Sequence, residues 1–505
     1  MKNDRYTGIL MHPVSFPSPY AIGDIGDAAY HFIDVMNENK VSLWQVLPLG
    51  PTGYGDSPYA SRSTFAGNEL LIDLKRLYLD GYLELEDIMS EPVVTERVDY
   101  GRAKEIKMPL LRKAACVFLK TEKNSSRYKE FCSEHSYWLE DYALYQSLCD
   151  RYNDSRWFSI WPEDLRNRKK SALDKAKAEL KEEMDIWCVL QYFFFSQWKS
   201  LKEYANEKGV RIIGDIPIFV APDSADAWTN TKLLKIDESG EQEASSGVPP
   251  DAFSSTGQLW GNPLYRWEEH EKENFSWWIK RVSAALRMCD IVRIDHFRGF
   301  EACWEVPKGE ETAINGKWVK SPGEKLLKAL AEALGDDLPI IAEDLGVITP
   351  EVEALRDSFG LPGMKILQFA FSVNDSGELE SGNAYLPHNI ERNSVAYTGT
   401  HDNNTTCGWY KEQSDAVKDA VRRYFECPDD QVPWQMIRHL LMSNAKYAVI
   451  PMQDILMLDE NARMNVPSTC GSSNWSWKMP QWGYYAEGWS RLHYYNKLYG
   501  RVVKK

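Results

Sequence analysis

Four stretches of the chain place carboxylates at or near the end of a short apolar run. Ile291-Val292-Arg293-Ile294 leads into Asp295-His296-Phe297-Arg298-Gly299. Ile340-Ile341-Ala342 leads into Glu343-Asp344-Leu345-Gly346. Ser394–Gly399 leads into Thr400-His401-Asp402-Asn403-Asn404, and Gly214-Asp215-Ile216-Pro217 closes a fourth run. Paired carboxyl groups about 5–5.5 Å apart suit double displacement at a sugar's anomeric carbon, one acting as nucleophile and the other as acid/base. Strand neighbours lie about 4.8 Å apart, so carboxylates ending adjacent strands meet that spacing. On this reading Asp295 is the nucleophile. Arg293, two residues earlier, shares its face and orients it. Glu343 is the acid/base, kept protonated by an anionic neighbour. Asp402 binds hydroxyls and stabilises an oxocarbenium-like transition state, while His296 and His401 donate to hydroxyls.

Simpler roles stand beside these. A strand-end Asp commonly caps a turn, Glu343-Asp344 could start a helix, and His401-Asp402 could cap a helix over Thr405–Lys411. Asp402-Asn403-Asn404 also offers hard oxygen ligands to a cation. Asp237-Glu-Ser-Gly-Glu241 lacks the alternating ligands of a calcium loop and reads as a solvated turn. No metal or cofactor is expected.

Such residues need a scaffold that brings strand ends together. Eight Val/Ile-rich runs recur: Tyr6–Met11, Ser42–Pro48, Arg211–Pro217, Ile291–His296, Pro339–Glu343, Met364–Phe371, Ser394–Thr400 and Tyr447–Met452. Near-continuous apolar strands alternating with helices imply a parallel sheet covered on both faces, and eight units imply a (β/α)8 TIM barrel. Its catalytic face is the C-terminal end of the strands, where the carboxylates fall. Thr349-Pro350 reads as a helix start, with the stop near Gly360. The aromatic-striped stretch Ile186–Lys208 reads as a core helix. About 160 residues separate the second and third strands, too many for a loop. Residues 84–195 are therefore expected to form an inserted, mainly helical subdomain, with 1–83 and 196–505 forming the barrel. Only about 50 residues follow the eighth strand, so no separate C-terminal β domain is expected.

The formal net charge of -15 argues against nucleic acid or an anionic membrane as partner and suits a neutral ligand. The 12% aromatic content fits stacking against sugar rings. No apolar stretch approaches the roughly 18 residues of a membrane span, and no signal peptide is read at the N-terminus. Nine scattered Cys without a C-x-x-C pair imply reduced thiols and a cytoplasmic setting.

Longer motifs then become recognisable. They are His12–Tyr20 with Gly23-Asp-Ile-Gly26, Leu47–Tyr59 (Leu-Pro-Leu-Gly-Pro-Thr-Gly-Tyr-Gly-Asp-Ser-Pro-Tyr) continuing to Asn68, Gly247–Tyr265, Glu310–Trp318 and Ala462–Pro467. Over nearly its whole length the chain resembles the amylomaltase family of 4-α-glucanotransferases, the disproportionating enzymes. The resemblance implies transfer of α-1,4-glucan segments to the 4-hydroxyl of another glucan or glucose by a retaining mechanism. It implies the same roles for Asp295, Glu343 and Asp402. It further implies that Tyr59 stacks on the donor sugar, that Asp215, Arg293, His296 and His401 line that subsite, and that Trp260 contacts glucan near the acceptor side. Ser57, Asp251 and Asn465, within the same motifs, are implied substrate contacts. The partners implied are a glucan donor and a glucan or glucose acceptor, with the chain a monomer or homodimer. One departure is visible: where the family pattern runs Arg-Met-Asn-x-Pro-Gly and then Gly-Asn-Trp, this chain has Ser468 after Pro467 and Ser473 before Asn474-Trp475. The rival readings are an α-amylase-type hydrolase and a catalytically silent glucan binder.

Overall fold

The computed structural model describes residues 5–89, 93, 95–250 and 254–502. All eight apolar runs are strands: β1 (Tyr6–Leu10), β2 (Leu43–Gln45), β3 (Arg211–Pro217), β6 (Ile291–Asp295), β9 (Ile340–Ala342), β10 (Gly363–Ile366), β11 (Ser394–Tyr397) and β12 (Tyr447–Pro451). The remaining four are β4 (Ala244–Val248), β5 (Gln258–Pro263), β7 (Ala302–Pro307) and β8 (Lys317–Lys320). The first set forms one sheet in the order β10-β11-β12-β1-β2-β3-β6-β9, and its neighbouring strands pair in parallel. The ends meet where Ala342 N–H donates to Pro362 O at 3.0 Å and Met364 N–H donates to Asp344 Oδ1 at 2.7 Å. The sheet thus closes as an α/β TIM barrel. Strands such as β11 and β12 are buried at every position. Burial on both faces is why they read as apolar runs rather than alternating ones.

The long connection between β2 and β3 is helical, including Tyr100–Thr121, Leu139–Tyr152 and Lys181–Glu207. The last of these runs continuously through residue 195. Its aromatic stripe packs inward, with Trp187, Phe193, Phe194 and Trp198 buried, and Gly209 beyond it takes a left-handed φ of 78°. The helix Pro350–Ser358 begins after Thr349, as the sequence implies, although the Thr349 side chain makes no capping hydrogen bond. After β12 the described residues hold helices and loops.

An antiparallel sheet, β5-β4-β7-β8, is absent from the sequence reading. Its strands lie in the connections leaving β3 and β6, which places the sheet beside the catalytic face. Ala-Ser-Ser-Gly-Val in β4 carries no period-2 hydrophobic signal, and β8 is half-exposed.

Candidate active site

The paired strands β3, β6 and β9 set the site's geometry. Asp215 stands opposite Arg293. Arg293 pairs with Ile341 and Ile294 with Ala342, so the next step in register sets Asp295 beside Glu343. Glu343 N–H donates to Ile294 O at 3.1 Å and Phe297 N–H to Glu343 O at 3.0 Å, which ties the two strand ends together.

Arg293 joins two carboxylates. Its Nη1 donates to both Asp215 oxygens at 2.8 and 2.7 Å, and its Nη2 donates to Asp295 Oδ1 at 2.7 Å. The Arg293 and Asp215 side chains are 5% and 0% exposed, whereas Asp295 keeps 32%. The buried pair therefore acts as a mount, and Asp295 is the member that faces solvent. Burial pushes the Asp215 carboxyl up to about 6 even though Arg293 opposes the shift. Tyr59 O–H donates to Asp215 Oδ2 at 2.9 Å, and burial holds its phenol well above the usual range.

Glu343 accepts from His296 N–H at 2.6 Å and Leu345 N–H at 2.9 Å. Both bonds favour the charged form. Burial outweighs them, and with the Asp295 carboxylate it pushes Glu343 up to about 8. His296 adopts a left-handed φ of 53°, an uncommon conformation for a side-chain-bearing residue. This bend aims its N–H at Glu343. Burial lowers the His296 imidazole to about 4, so it is neutral at pH 7.

Asp402 lies on the loop after β11. His401 Nε2 is 3.4 Å from its Oδ2, Asn465 Nδ2 donates to its Oδ1 at 2.7 Å and Arg463 Nη2 to its backbone O at 2.6 Å. Burial alone would raise the Asp402 carboxyl; His401, Asn465 and Arg293 outweigh it and bring the group to about 2. The loop is fastened from below by Asp454, 1% exposed. Its Oδ2 accepts from Thr398 Oγ1 at 2.6 Å and Thr406 Oγ1 at 2.7 Å, and its Oδ1 accepts from Thr406 N–H at 2.7 Å.

The helix-start and helix-cap roles do not describe Glu343-Asp344 and His401-Asp402. The helix after Asp402 starts at Thr406 and is capped by Thr405 Oγ1, which accepts from Gly408 N–H at 3.1 Å. Glu343-Asp344 starts no helix: Asp344 accepts from Arg356 and Met364 and fastens β9 to β10. Asn403 Oδ1 accepts from Thr400 N–H and Oγ1 at 2.8 and 2.9 Å, which ties the turn that carries Asp402. Asp237 Oδ1 accepts from Ser239 and Glu241 N–H at 2.9 and 3.0 Å, as a turn residue does.

A cleft of about 520 Å³ opens over the carboxylates, bounded by Tyr59, Trp260, Asp295, Asp402, Asn465 and Trp475. The Tyr59 ring stacks on His401, with centroids 5.1 Å apart and planes at 18°. Trp260, on β5, meets His296 edge-on at 4.7 Å. Ser57 Oγ accepts from Tyr59 N–H at 3.2 Å and so shapes the turn that carries Tyr59. Asp251 lies outside the described residues. Trp475, 5.7 Å from Tyr59 and 5.8 Å from His401, was not singled out from sequence, nor were Arg463, Asp454 and Glu311, the last of which also borders the cleft. Trp475 and Arg463 stand in or beside recognisable motifs; Asp454 carries no local signal.

A family model for 4-alpha-glucanotransferase matches residues 11–483. The chain belongs to the 4-alpha-glucanotransferase family. A 4-alpha-glucanotransferase of Synechocystis sp. is 46% identical over 511 residues, covering 100% of this chain and 99% of its own. A member from Thermus thermophilus is 48% identical over 492 residues, covering 95% of each. Among solved structures, the amylomaltase from Streptococcus agalactiae in complex with acarbose superposes with a TM-score of 0.95 at 38% identity, over 99% of this chain and 100% of that one. An amylomaltase from Corynebacterium glutamicum, at 19% identity and a TM-score of 0.77 over 99% of this chain and 74% of that one, shares the fold. Among the described residues no helix is long and apolar enough to cross a membrane.

Proposed function

We propose that this family member is a 4-α-glucanotransferase that moves segments of α-1,4-glucans to the 4-hydroxyl of another glucan or of glucose. The observation that carries the reading is the pair at the ends of β6 and β9. Asp295 is oriented by Arg293 and open to the cleft, while beside it burial keeps the Glu343 carboxyl protonated up to about pH 8. A nucleophile next to a retained proton is what retaining cleavage requires.

Asp295 attacks the anomeric carbon as the glycosidic C–O bond breaks. Glu343 gives its proton to the departing glucan oxygen. The resulting Glu343 carboxylate then takes the proton of an incoming 4-hydroxyl, whose oxygen attacks the same carbon and releases Asp295. Asp402, held as an anion and steered by Asn465, accepts from sugar hydroxyls and stabilises positive charge on the ring. Tyr59 and Trp475 supply stacking surface on one side, Trp260 and neutral His296 on the other. Ser57 and Asp251 complete the substrate contacts implied by their motifs. The helical segment 84–195 is read as a subdomain inserted into the barrel.

Donor and acceptor are neutral, which suits a chain of net charge -15. Nine unpaired cysteines support a reducing, cytoplasmic setting, with the chain acting as a monomer or homodimer.

Incubation with maltotriose tests the reading. The expected products are glucose and longer oligomers, with total reducing ends constant. A steady rise in reducing ends would make the protein a hydrolase, and unchanged maltotriose would leave a binder.

A further inference from the structure

We propose that one buried water molecule is a fixed part of this site, held behind His401 by His12 Nδ1, Ser15 Oγ and Asn404 Oδ1, and that through it His12 is a positioning residue for the loop bearing His401 and Asp402. A cavity of about 20 Å³ lies between the turn after β1 and that loop, bounded by His12, Ser15, Thr400, His401, Asn404 and Gln453 among others. A single water needs about 10–15 Å³ measured this way, with two to four polar partners. His12, Ser15 and Asn404 are 4%, 0% and 8% exposed, and those three atoms have no hydrogen-bond partner among the described residues. Buried polar atoms of this kind are nearly always satisfied, by protein or by ordered water.

The donors and acceptors balance. Asn404 Nδ2 is committed to Glu412 Oε1 at 2.8 Å, so Oδ1 is the free end of that amide and acts only as an acceptor. The same amide packs so closely on Gly408 that a Cβ there would come within 2.5 Å of Oδ1, which leaves the group little freedom to turn away. Burial, with His401 nearby, lowers the His12 imidazole to about 3. A neutral ring leaves one nitrogen as an acceptor. A water that accepts from Ser15 Oγ–H and donates to His12 Nδ1 and Asn404 Oδ1 satisfies all three. It also ties the first β-strand's turn, where Ser15 N–H already bonds His12 O at 3.0 Å, to the loop after β11. Without it, no hydrogen bond among the described residues ties the back of the His401 loop to this turn at the cavity.

A wild-type crystal structure at a resolution that orders solvent should show one peak within hydrogen-bond distance of all three atoms. A cavity without density, or a peak with the short contacts of a metal ion, overturns the proposal. In the kinetic arm, His12→Leu should lose the water and lower kcat for maltotriose roughly tenfold, less than the hundredfold that a misplacement of about 1 Å can cost. KM should stay within about twofold, because His12 touches no substrate. His12→Asn, whose amide reaches the Nδ1 position, should recover the peak and most of kcat; a role in packing alone would give no such recovery. A His12→Leu protein that loses the water yet turns over at the wild-type rate overturns the positioning role. If His12→Leu does not fold, Ser15→Ala is judged by the same peak and the same kcat. The kinetic arm rests on the glucan-transfer reading and the crystallographic arm does not. A wild type inert toward maltotriose would sink that reading and leave the water peak to decide this one.

Discussion

Arg293 uses one guanidinium to fasten a fully buried carboxylate and to aim a second one at the cleft. Two consequences follow at this scale. Asp295→Asn keeps the shape and an acceptor oxygen for Arg293 but removes the nucleophilic charge, so turnover should vanish while thermal unfolding stays within a few degrees of wild type. Normal activity in that variant would remove Asp295 from its role. The second concerns Glu343, raised by burial and by Asp295 to about 8. As the proton donor in the first step it must be protonated, so kcat/KM should be flat near neutrality and fall tenfold per pH unit above about 8. The stability linkage has a definite sign. The folded value lies above the ordinary 4.5, so the favourable contribution is complete below about pH 4.5 and is lost as pH rises through 8. Asp402, at about 2, behaves oppositely: its contribution is present above the ordinary 3.8 and disappears only as pH falls toward 2. An alkaline limb that persisted in Glu343→Gln would assign it to another group. At this scale much was legible. The strand-end position of Asp295 and Glu343, and the two-residue offset of Arg293, follow from strand periodicity alone. The value of about 8 was not, because it depends on how completely the fold buries that carboxyl.

Loops and strand ends carry these residues, and their conformations are set by groups remote in sequence. Asp454 holds both ends of the Thr398–Thr406 loop with three hydrogen bonds. At about 1 kcal/mol each, Asp454→Ala should cost about 3 kcal/mol in denaturant unfolding. It should also lower kcat more than it changes KM, because His401 and Asp402 lose a fixed floor. A variant with full stability but no kcat change would mean the loop is held elsewhere. Ser468 sits at the cleft rim with a left-handed φ of 61°. That backbone state costs a side-chain-bearing residue about 1–2 kcal/mol. This explains why the family pattern has Gly at the position where this chain departs from it. Ser468→Gly should therefore stabilise the protein by about 0.5–1 kcal/mol after the entropy of the unfolded glycine is counted; a loss of melting temperature would refute the strain. Neither Asp454 nor the Ser468 conformation could be read from the chain. One depends on contacts about 50 residues apart, the other on a loop path that no hydrophobic period encodes.

At the scale of the whole molecule, a strongly acidic protein acts on an uncharged polymer. Electrostatic steering has nothing to pull on. kcat/KM for a maltooligosaccharide should change less than about twofold between roughly 0.01 and 1 M salt, over which the screening length shrinks from about 30 to 3 Å; a steep salt dependence would point to a charged substrate. The barrel itself was determined by the sequence in a direct sense. Strands buried on both faces must be apolar throughout, so eight such runs announce eight parallel strands and a catalytic face at their C-terminal ends. Strand periodicity then names the carboxylates that reach that face. The tertiary structure decided what no local pattern holds. It built the antiparallel sheet that carries Trp260, from strands such as Ala244–Val248 that carry no clear hydrophobic period. It folded Trp475 and Asn465 from the far end of the chain against Tyr59 and Asp402. It set the proton affinities of Glu343 and Asp402 in opposite directions. Desolvation and through-space charge depend on which groups meet, and only closing the barrel makes them meet.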